Sequence, residues 1–343
     1  MLKELTLPDR RIVDPWGPIS EHERNGSWPE RVDLALQDGL GEDQVDAWVA
    51  SACVMCSNGC GCDIAVKDGR IVGTRGRGGD RVNRGRLGPK GLFAWQANNS
   101  AERLTTPLVR EGGDLVEADW DTALARVAAR MQELLDTKGP QSVAFYNSGQ
   151  LFLEDYYALG VLAHAGVGTP HVDGNTRLCT ATAAQALKES FGCDGQPGSY
   201  TDVDVADAFF LYGHNVAETQ TVLWTRMRDR LESAGPPALV VVDPRPTVPA
   251  LRADVHLAVR NGTNLALMNA LVHELIAQGW VDQAYVDAHT VGFATLAQRT
   301  ASCTPEWAAE ICDVDAGLIR EAARIFGTTS RVLSTVLQGF YQS

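Results

Sequence analysis

The sequence lacks the marks of several large protein classes. No apolar run in its 343 residues approaches the roughly 20 residues needed to span a bilayer, so no membrane partner is expected. The stretch from Met1 to Pro15 is charged, and nothing hydrophobic follows Arg10-Arg11; no export leader is expected either. Basic charge is scarce: 30 Lys and Arg against 43 Asp and Glu leave a net charge of -13. Nucleic acids and anionic membranes reward clustered Lys and Arg, so no nucleic-acid partner is expected. Internal repeats, low-complexity tracts and a Gly-x-Gly-x-x-Gly fingerprint are all missing, and a nicotinamide cofactor is therefore poorly supported.

What is present is the composition of a globular protein, 45% hydrophobic and 21% charged, long enough for roughly two or three domains. The first 50 residues are rich in Pro, Trp and charge and read as a wrapping extension, with Trp16, Trp28 and Trp48 as packing anchors. From Cys62 the residues alternate through Ile64 and Val66 to Asp68-Gly69, then Ile71 and Val72, which predicts a short hairpin. Leu124, Val127, Ala128, Met131, Leu134 and Leu135 follow helical spacing; Asp119 or Asp121 would cap that helix and Gly139-Pro140 would stop it. Ser142 to Tyr146 reads as a strand, Thr176 to Phe191 as a helix ending at Gly192, and Asn264 to Ile276 as another. Ala208 to Tyr212 and Ala238 to Val242 read as buried strands. This alternation predicts an α/β fold with a mostly parallel sheet and helices on both faces. Arg331 to Gln338 begins one more strand just before the sequence stops, which reads as a truncated segment.

Eight cysteines are unevenly placed. Cys179, Cys193, Cys303 and Cys312 are scattered, as suits reduced thiols in a cytoplasm better than a disulfide framework. The other four, Cys53, Cys56, Cys60 and Cys62, fall within ten residues. Cys53-x2-Cys56-x3-Cys60 gathers three soft thiolates around one loop that Gly59 and Gly61 relax, the chemistry of zinc or iron–sulfur sites. A zinc site would need a further Cys or His at short spacing downstream, and the next histidine is His164. The spacing therefore favours an iron–sulfur centre. Cys62 lies beside Ile64 and Val66 in a strand pattern and is expected in the core rather than as a ligand.

Gly85-Arg86-Leu87-Gly88-Pro89-Lys90-Gly91, read with the cysteine loop, resembles a signature of the molybdopterin-guanine-dinucleotide oxidoreductases of the DMSO reductase type. One position departs: Gly88 stands where that family carries its fourth cluster cysteine. The resemblance implies an iron–sulfur cluster held by Cys53, Cys56 and Cys60. It would be a [3Fe-4S] cluster, or a [4Fe-4S] cluster whose last iron takes an oxygen or nitrogen ligand. Lys90 matches the family lysine between cluster and pterin. Asn175-Thr176-Arg177-Leu178-Cys179-Thr180 is similar to the segment that supplies the molybdenum ligand in bacterial assimilatory and periplasmic nitrate reductases. Cys179 is thereby implied as that ligand, at an expected helix start whose dipole favours a negative ligand atom.

The same resemblance implies a molybdenum bis-molybdopterin guanine dinucleotide cofactor. Its contacts would be Gln150, Asn175, Gly213, Asn215, Glu218, Thr219, Asp243, Arg245, Thr247, Gly262, Thr263 and Asn264, in polar loops at strand ends. His171 is placed near the pocket with a structural role equally open; His164, His256, His273 and His289 read as packing or surface residues. The implied layout is a wrapping extension (1–50), an iron–sulfur domain with short hairpins (51–105), the first part of an α/β molybdopterin domain (106–170), a Rossmann-like dinucleotide domain (171–330) and the start of a further segment (331–343). The family's C-terminal part would be missing, and the 343 residues alone are expected to be inactive. The implied activity is reduction of nitrate, a small anion, in the cytoplasm, with electrons from a ferredoxin or an NAD(P)H-oxidising flavoprotein. A formate dehydrogenase is the alternative, although that branch usually places His after its ligating residue, where Thr180 stands here. An electron-transfer or scaffold subunit without molybdenum is a third reading.

Overall fold

The computed structural model describes residues 28–342; Trp16 and the rest of the first 27 residues lie outside the described residues. Four short strands open the described chain: β1 (Leu34–Leu36), β2 (Ala47–Ala52), β3 (Gly61–Lys67) and β4 (Arg70–Gly76). They form an antiparallel sheet in the order β1-β4-β3-β2. The expected hairpin is its centre, and Asp68 (φ 48°) and Gly69 (φ 70°) turn it through two left-handed residues, as a type I′ turn requires. Within the expected wrapping extension (1–50), residues 34–36 and 47–50 lie in sheet strands, β1 and the first part of β2. β1 is too short to alternate, and three of the six residues of β2 are alanine, which has little strand preference. Trp28 is buried, and the Arg75 guanidinium lies over the Trp48 ring at 4.0 Å.

The short helix α1 (Pro89–Phe93) leads from this sheet to a second hairpin, β5 (Leu108–Glu111) and β6 (Asp114–Glu117). The helix α2 (Trp120–Lys138) follows, capped by the Asp119 side chain, which accepts from Thr122 N, and stopped at Gly139 (φ 78°). The apolar spacing is helical as expected, yet Leu124 and Val127 are exposed. Pro140–Ser142 forms a 3-10 turn, so the strand expected at 142–146 begins later, as β7 (Phe145–Asn147); a proline with no N–H to donate favours the turn. β7 pairs in parallel with β8 (Val172–Gly174). The expected helix from Thr176 to Phe191 is broken: Thr176–Cys179 is one turn, Thr180 leaves helical geometry at φ -121°, and α3 (Ala181–Phe191) then runs to a left-handed Gly192.

The largest core lies around a parallel sheet. Its strands are β9 (Ala208–Tyr212), β10 (Ala238–Val242), β11 (Val255–Leu257) and β12 (Val332–Val336), in the order β11-β10-β9-β12. Alternate residues enter opposite cores. Ala208, Phe210, Tyr212, Val240 and Val242 pack with Leu267, Leu271, Ile319 and Ala322 on one face. Phe209, Leu211, Leu239 and Val241 pack with Leu223 and Met227 on the other. Burial on both faces explains why these strands read as unbroken apolar runs. Between β9 and β10 lies the helix α4 (Thr221–Leu231); α5 (Asn264–Ala277) and α6 (Ala316–Thr328) cover the first face. β12 is thus the edge strand of this sheet, where residues 331–343 were expected to begin a separate segment. Among the described residues no helix is long and apolar enough to cross a membrane.

Candidate metal centre and cofactor cleft

The cysteine loop joins β2 to β3. Cys53 N donates to Cys60 O at 2.8 Å and closes it, while Ser57 (φ 56°) and Gly59 (φ 79°) turn the backbone through left-handed conformations. Burial pushes the Cys60 thiol up to about 12, with the Cys53, Cys56 and Asp80 charges adding to it and the Asn58 hydrogen bond opposing it. Burial likewise pushes Cys62 up to about 11 and raises Cys53. Buried thiols this close together lose their protons when a metal supplies the compensating charge. Among the described residues no group of three His, Cys, Asp or Glu is arranged to hold a single metal ion. Cys60 and Cys62 are both buried beside Trp28, Leu87 and Val222.

Two elements pack on this loop. A Cβ built on Gly91 of α1 would stand 3.0 Å from Cys53 Sγ, so glycine lets that helix approach the thiol. Lys90, exposed one residue earlier, acts electrostatically on Cys53. From the parallel-sheet domain, Tyr200 Oη donates to Asn58 O at 2.9 Å. The buried Asn58 amide in turn donates to Cys60 Sγ at 3.2 Å. Burial beside Cys60 and Cys56 raises Tyr200 to about 12, so it remains a donor. Sequence reading missed Asn58 and Tyr200; a residue between two cysteines was a visible cue for the first, and nothing local signals the second.

The second site lies at the carboxyl ends of the parallel strands. Strand order reverses between β9 and β12, the switch point at which open α/β sheets bind ligands. Gly213, at the end of β9, is left-handed (φ 53°), and any Cβ there would overlap the backbone of Gly339 and Phe340. Asn215 is buried in the next turn with Oδ1 unpartnered; Glu218 and Thr219 are exposed beyond it. After β10, buried Asp243 accepts from Arg245 N at 2.9 Å, Thr247 is buried and Arg245 is exposed. His256 Nε2 stands 2.8 Å from Asp243 O and steadies this loop. Gly262 (φ 81°) and Thr263 lead into α5, and Asn264 Nδ2 reaches Gly339 O at 3.4 Å.

The β7–β8 edge supplies the rest. Asn175 Oδ1 accepts from Gly149 N at 2.7 Å, which ties the Gln150 loop to the segment bearing Cys179. Cys179 is half-buried and ends the isolated turn before α3, not the first turn of a long helix. Gln342 Nε2 donates to Cys179 Sγ at 3.0 Å and also contacts Cys179 O. Sequence reading missed Gln342, which lies 163 residues away with no shared motif. It missed His214 as well. That ring is buried between Thr335 Oγ1 (2.7 Å from Nδ1) and Gln220 Oε1 (3.0 Å from Nε2). Burial pushes it down to about 4, so a neutral imidazole links the β9 loop to β12. His171 is exposed; His164 Nδ1 stands 3.1 Å from the nearby Thr169 O, and His273 Nδ1 stands 3.0 Å from Thr300 O.

Comparison with known proteins agrees with this layout. The molybdopterin oxidoreductase family pattern matches residues 103–335, and that of the molybdopterin oxidoreductase Fe4S4 domain matches residues 46–100. A nitrate reductase of Symbiobacterium thermophilum is 37% identical over 86% of this chain and 40% of its own length. A periplasmic nitrate reductase of Desulfovibrio desulfuricans is 36% identical over 88% and 41%. An F420-dependent formate dehydrogenase 1 subunit alpha of Methanococcus maripaludis is 32% identical over 86% and 43%. The chain therefore spans about 40% of the length of the curated relatives it matches. Acetylene hydratase from Pelobacter acetylenicus superposes with a TM-score of 0.75 at 24% identity, over 84% of this chain and 40% of that one. The residues present fit the groups these domains carry. Three cysteines of one loop offer soft donors to a cluster, and the orphaned buried Asn215 Oδ1 offers an acceptor to a ligand in the cleft. The chain belongs to the molybdopterin oxidoreductase family, with an N-terminal iron–sulfur domain preceding its molybdopterin domain.

Proposed function

We propose that the chain is the cofactor-bearing N-terminal part of a nitrate reductase catalytic subunit. The observation that carries the reading is the Cys179 segment: a half-buried thiol at the cleft, followed by Thr180 and held by Gln342. A bound molybdenum–molybdopterin supplies oxygen-atom exchange, so that nitrate, two protons and two electrons give nitrite and water. Cys179 holds the metal, and the Gln342 amide fixes the thiolate's direction and keeps a donor on its sulfur. Asn215, Asp243, Thr247, Gly262 and Thr263, with Glu218, Thr219, Arg245 and Asn264 at the rim, hold one guanine dinucleotide. Gln150 and Asn175 position the pterin side, and Gly213 lets the backbone of residues 339–340 lie against the end of β9. Cys53, Cys56 and Cys60 hold the cluster, and Lys90 lies on the route from it to the pterin.

The proposal extends to a cytoplasmic protein fed by a ferredoxin or a flavoprotein. Formate oxidation is the second reading, favoured by 32% identity to the formate dehydrogenase subunit and opposed by Thr180. A scaffold subunit without molybdenum is the third. Metal analysis decides first: iron present with molybdenum near zero would sink both enzyme readings. Nitrate-dependent oxidation of reduced viologen, by the polypeptide carrying the rest of the relatives' length, then supports nitrate chemistry; formate-dependent viologen reduction without it supports the second reading. The 343 residues alone are expected to bind the cluster and not to turn over nitrate.

A further inference from the structure

The position that departs from the cluster signature is shaped as an opening. Gly88 sits at φ -71° and ψ 161°, an ordinary extended conformation open to any residue. Nor does packing demand glycine there. Among the described residues, leaving aside its chain neighbours, a Cβ on Gly88 would have Thr221 alone within 4 Å, its Cβ at 3.5 Å and its Oγ1 at 3.7 Å. Gly91, three residues on, is the opposite case, because its Cβ would press on Cys53 Sγ. Among the described residues the missing side chain at 88 therefore leaves space bounded by a hydroxyl, beside the cysteine loop. That hydroxyl is weakly engaged: among the described residues Thr221 Oγ1 makes one long bond, to Ala217 O at 3.3 Å. Val222, the next residue, packs in the same cluster as Cys60, Cys62 and Leu87, so the start of α4 borders the metal loop.

We propose that the cluster has four irons, and that the fourth, at the Gly88 corner, carries an exchangeable water or hydroxide held by the Thr221 hydroxyl. The site admits small anionic or thiolate ligands that displace this oxygen donor. Ligand exchange there forms one iron–ligand bond and releases one water, with no change in oxidation state. The inference rests on the iron–sulfur domain and not on nitrate chemistry.

The test uses the 343-residue chain, reconstituted without oxygen with excess iron and sulfide, and followed by iron content and electron paramagnetic resonance of the reduced cluster. The wild type is expected to hold four irons, to broaden in 17O-enriched water and to shift its signal with cyanide. Gly88→Cys should keep four irons and lose both responses. Thr221→Val should keep the responses but lose its fourth iron to mild oxidant about fivefold faster, the worth of one hydrogen bond. Cys62→Ala should leave the wild-type behaviour intact. Three irons in the anaerobic wild type, four irons with no response, or loss of the four-iron signal in Cys62→Ala would each overturn the proposal. Should Gly88→Cys fail to fold, the wild-type responses and the Cys62 variant still decide it. Absence of iron from every variant would sink the cluster itself, whereas absence of molybdenum would touch only the nitrate reading.

Discussion

Replacing Asp204 by alanine should strand a buried guanidinium. Asp204 and Arg226 form a two-pronged ion pair, with Nε to Oδ1 at 2.8 Å and Nη2 to Oδ2 at 2.6 Å. The side chains are 4% and 2% exposed, so water cannot replace the lost carboxylate. The Trp28 ring, 4.9 Å from the Arg226 guanidinium, is worth only about 1–2 kcal/mol to a desolvated cation. Removing one partner of such a pair costs roughly 3–5 kcal/mol. At about 2–4 °C per kcal/mol this lowers the melting temperature by roughly 10 °C, measurable by calorimetry. The damage should reach the iron–sulfur domain. Trp28 lies under both Arg226 and Arg86, the latter at 4.1 Å, and Trp28 Nε1 donates to Asp229 at 2.9 Å. The decisive arm is the double variant Asp204→Ala with Arg226→Met, which removes the stranded charge and should recover most of the loss. A single variant costing under about 1 kcal/mol, or a double variant no better than the single, would refute the reasoning.

Other consequences are equally direct. His214 is pushed down to about 4 from its ordinary 6.5, so it is neutral in the fold while the unfolded chain protonates first. Stability should therefore fall as pH drops from about 6.5 to about 4, by about 3 kcal/mol at the lower end; His214→Gln should flatten that part of a denaturation–pH profile. Gly213→Ala places a methyl against the Gly339 backbone at a left-handed φ. It should cost more than about 1 kcal/mol and release the turn that carries Gln342, seen as faster hydrogen exchange in residues 338–342. Asn58→Leu removes the donor to Cys60 Sγ and should shift the cluster potential negative, by roughly 40 mV per 1 kcal/mol of hydrogen bond lost. A potentiometric titration followed by electron paramagnetic resonance reads it, and an unmoved or more positive potential would count against the bond.

Where a local pattern is sufficient, the sequence was legible. Phe209, Phe210 and Leu211 could be placed in a doubly covered strand because burial on both faces removes the polar alternation, and Asp68-Gly69 named its own turn. The strands before the cysteine loop were not legible, because Leu34–Leu36 and the alanine-rich β2 owe their pairing to β4 and β3 and not to propensity. The break at Thr180 escaped for a related reason. Thr176 to Phe191 contains no glycine or proline, so nothing in the propensities announces that Thr180 leaves the helix.

The cleft itself was half legible, and the missing half has one cause. Gly213, Asn215, Asp243 and Thr247 follow strands that can be read one at a time. Gln342 and the Thr335 partner of His214 belong to the site only because β12 returns to lie beside β9 and not beyond β11. That return is what makes the strand order reverse at β9, and the reversal opens the crevice. It also brings residues 338–342 over Gly213, where a glycine is required, and delivers an amide donor to Cys179 from the far end of the chain. Three separate stretches, 175–180, 213–220 and 335–342, thus meet through a single topological choice. A substitution at Gly213 should accordingly be felt at Cys179, although no sequence pattern joins the two.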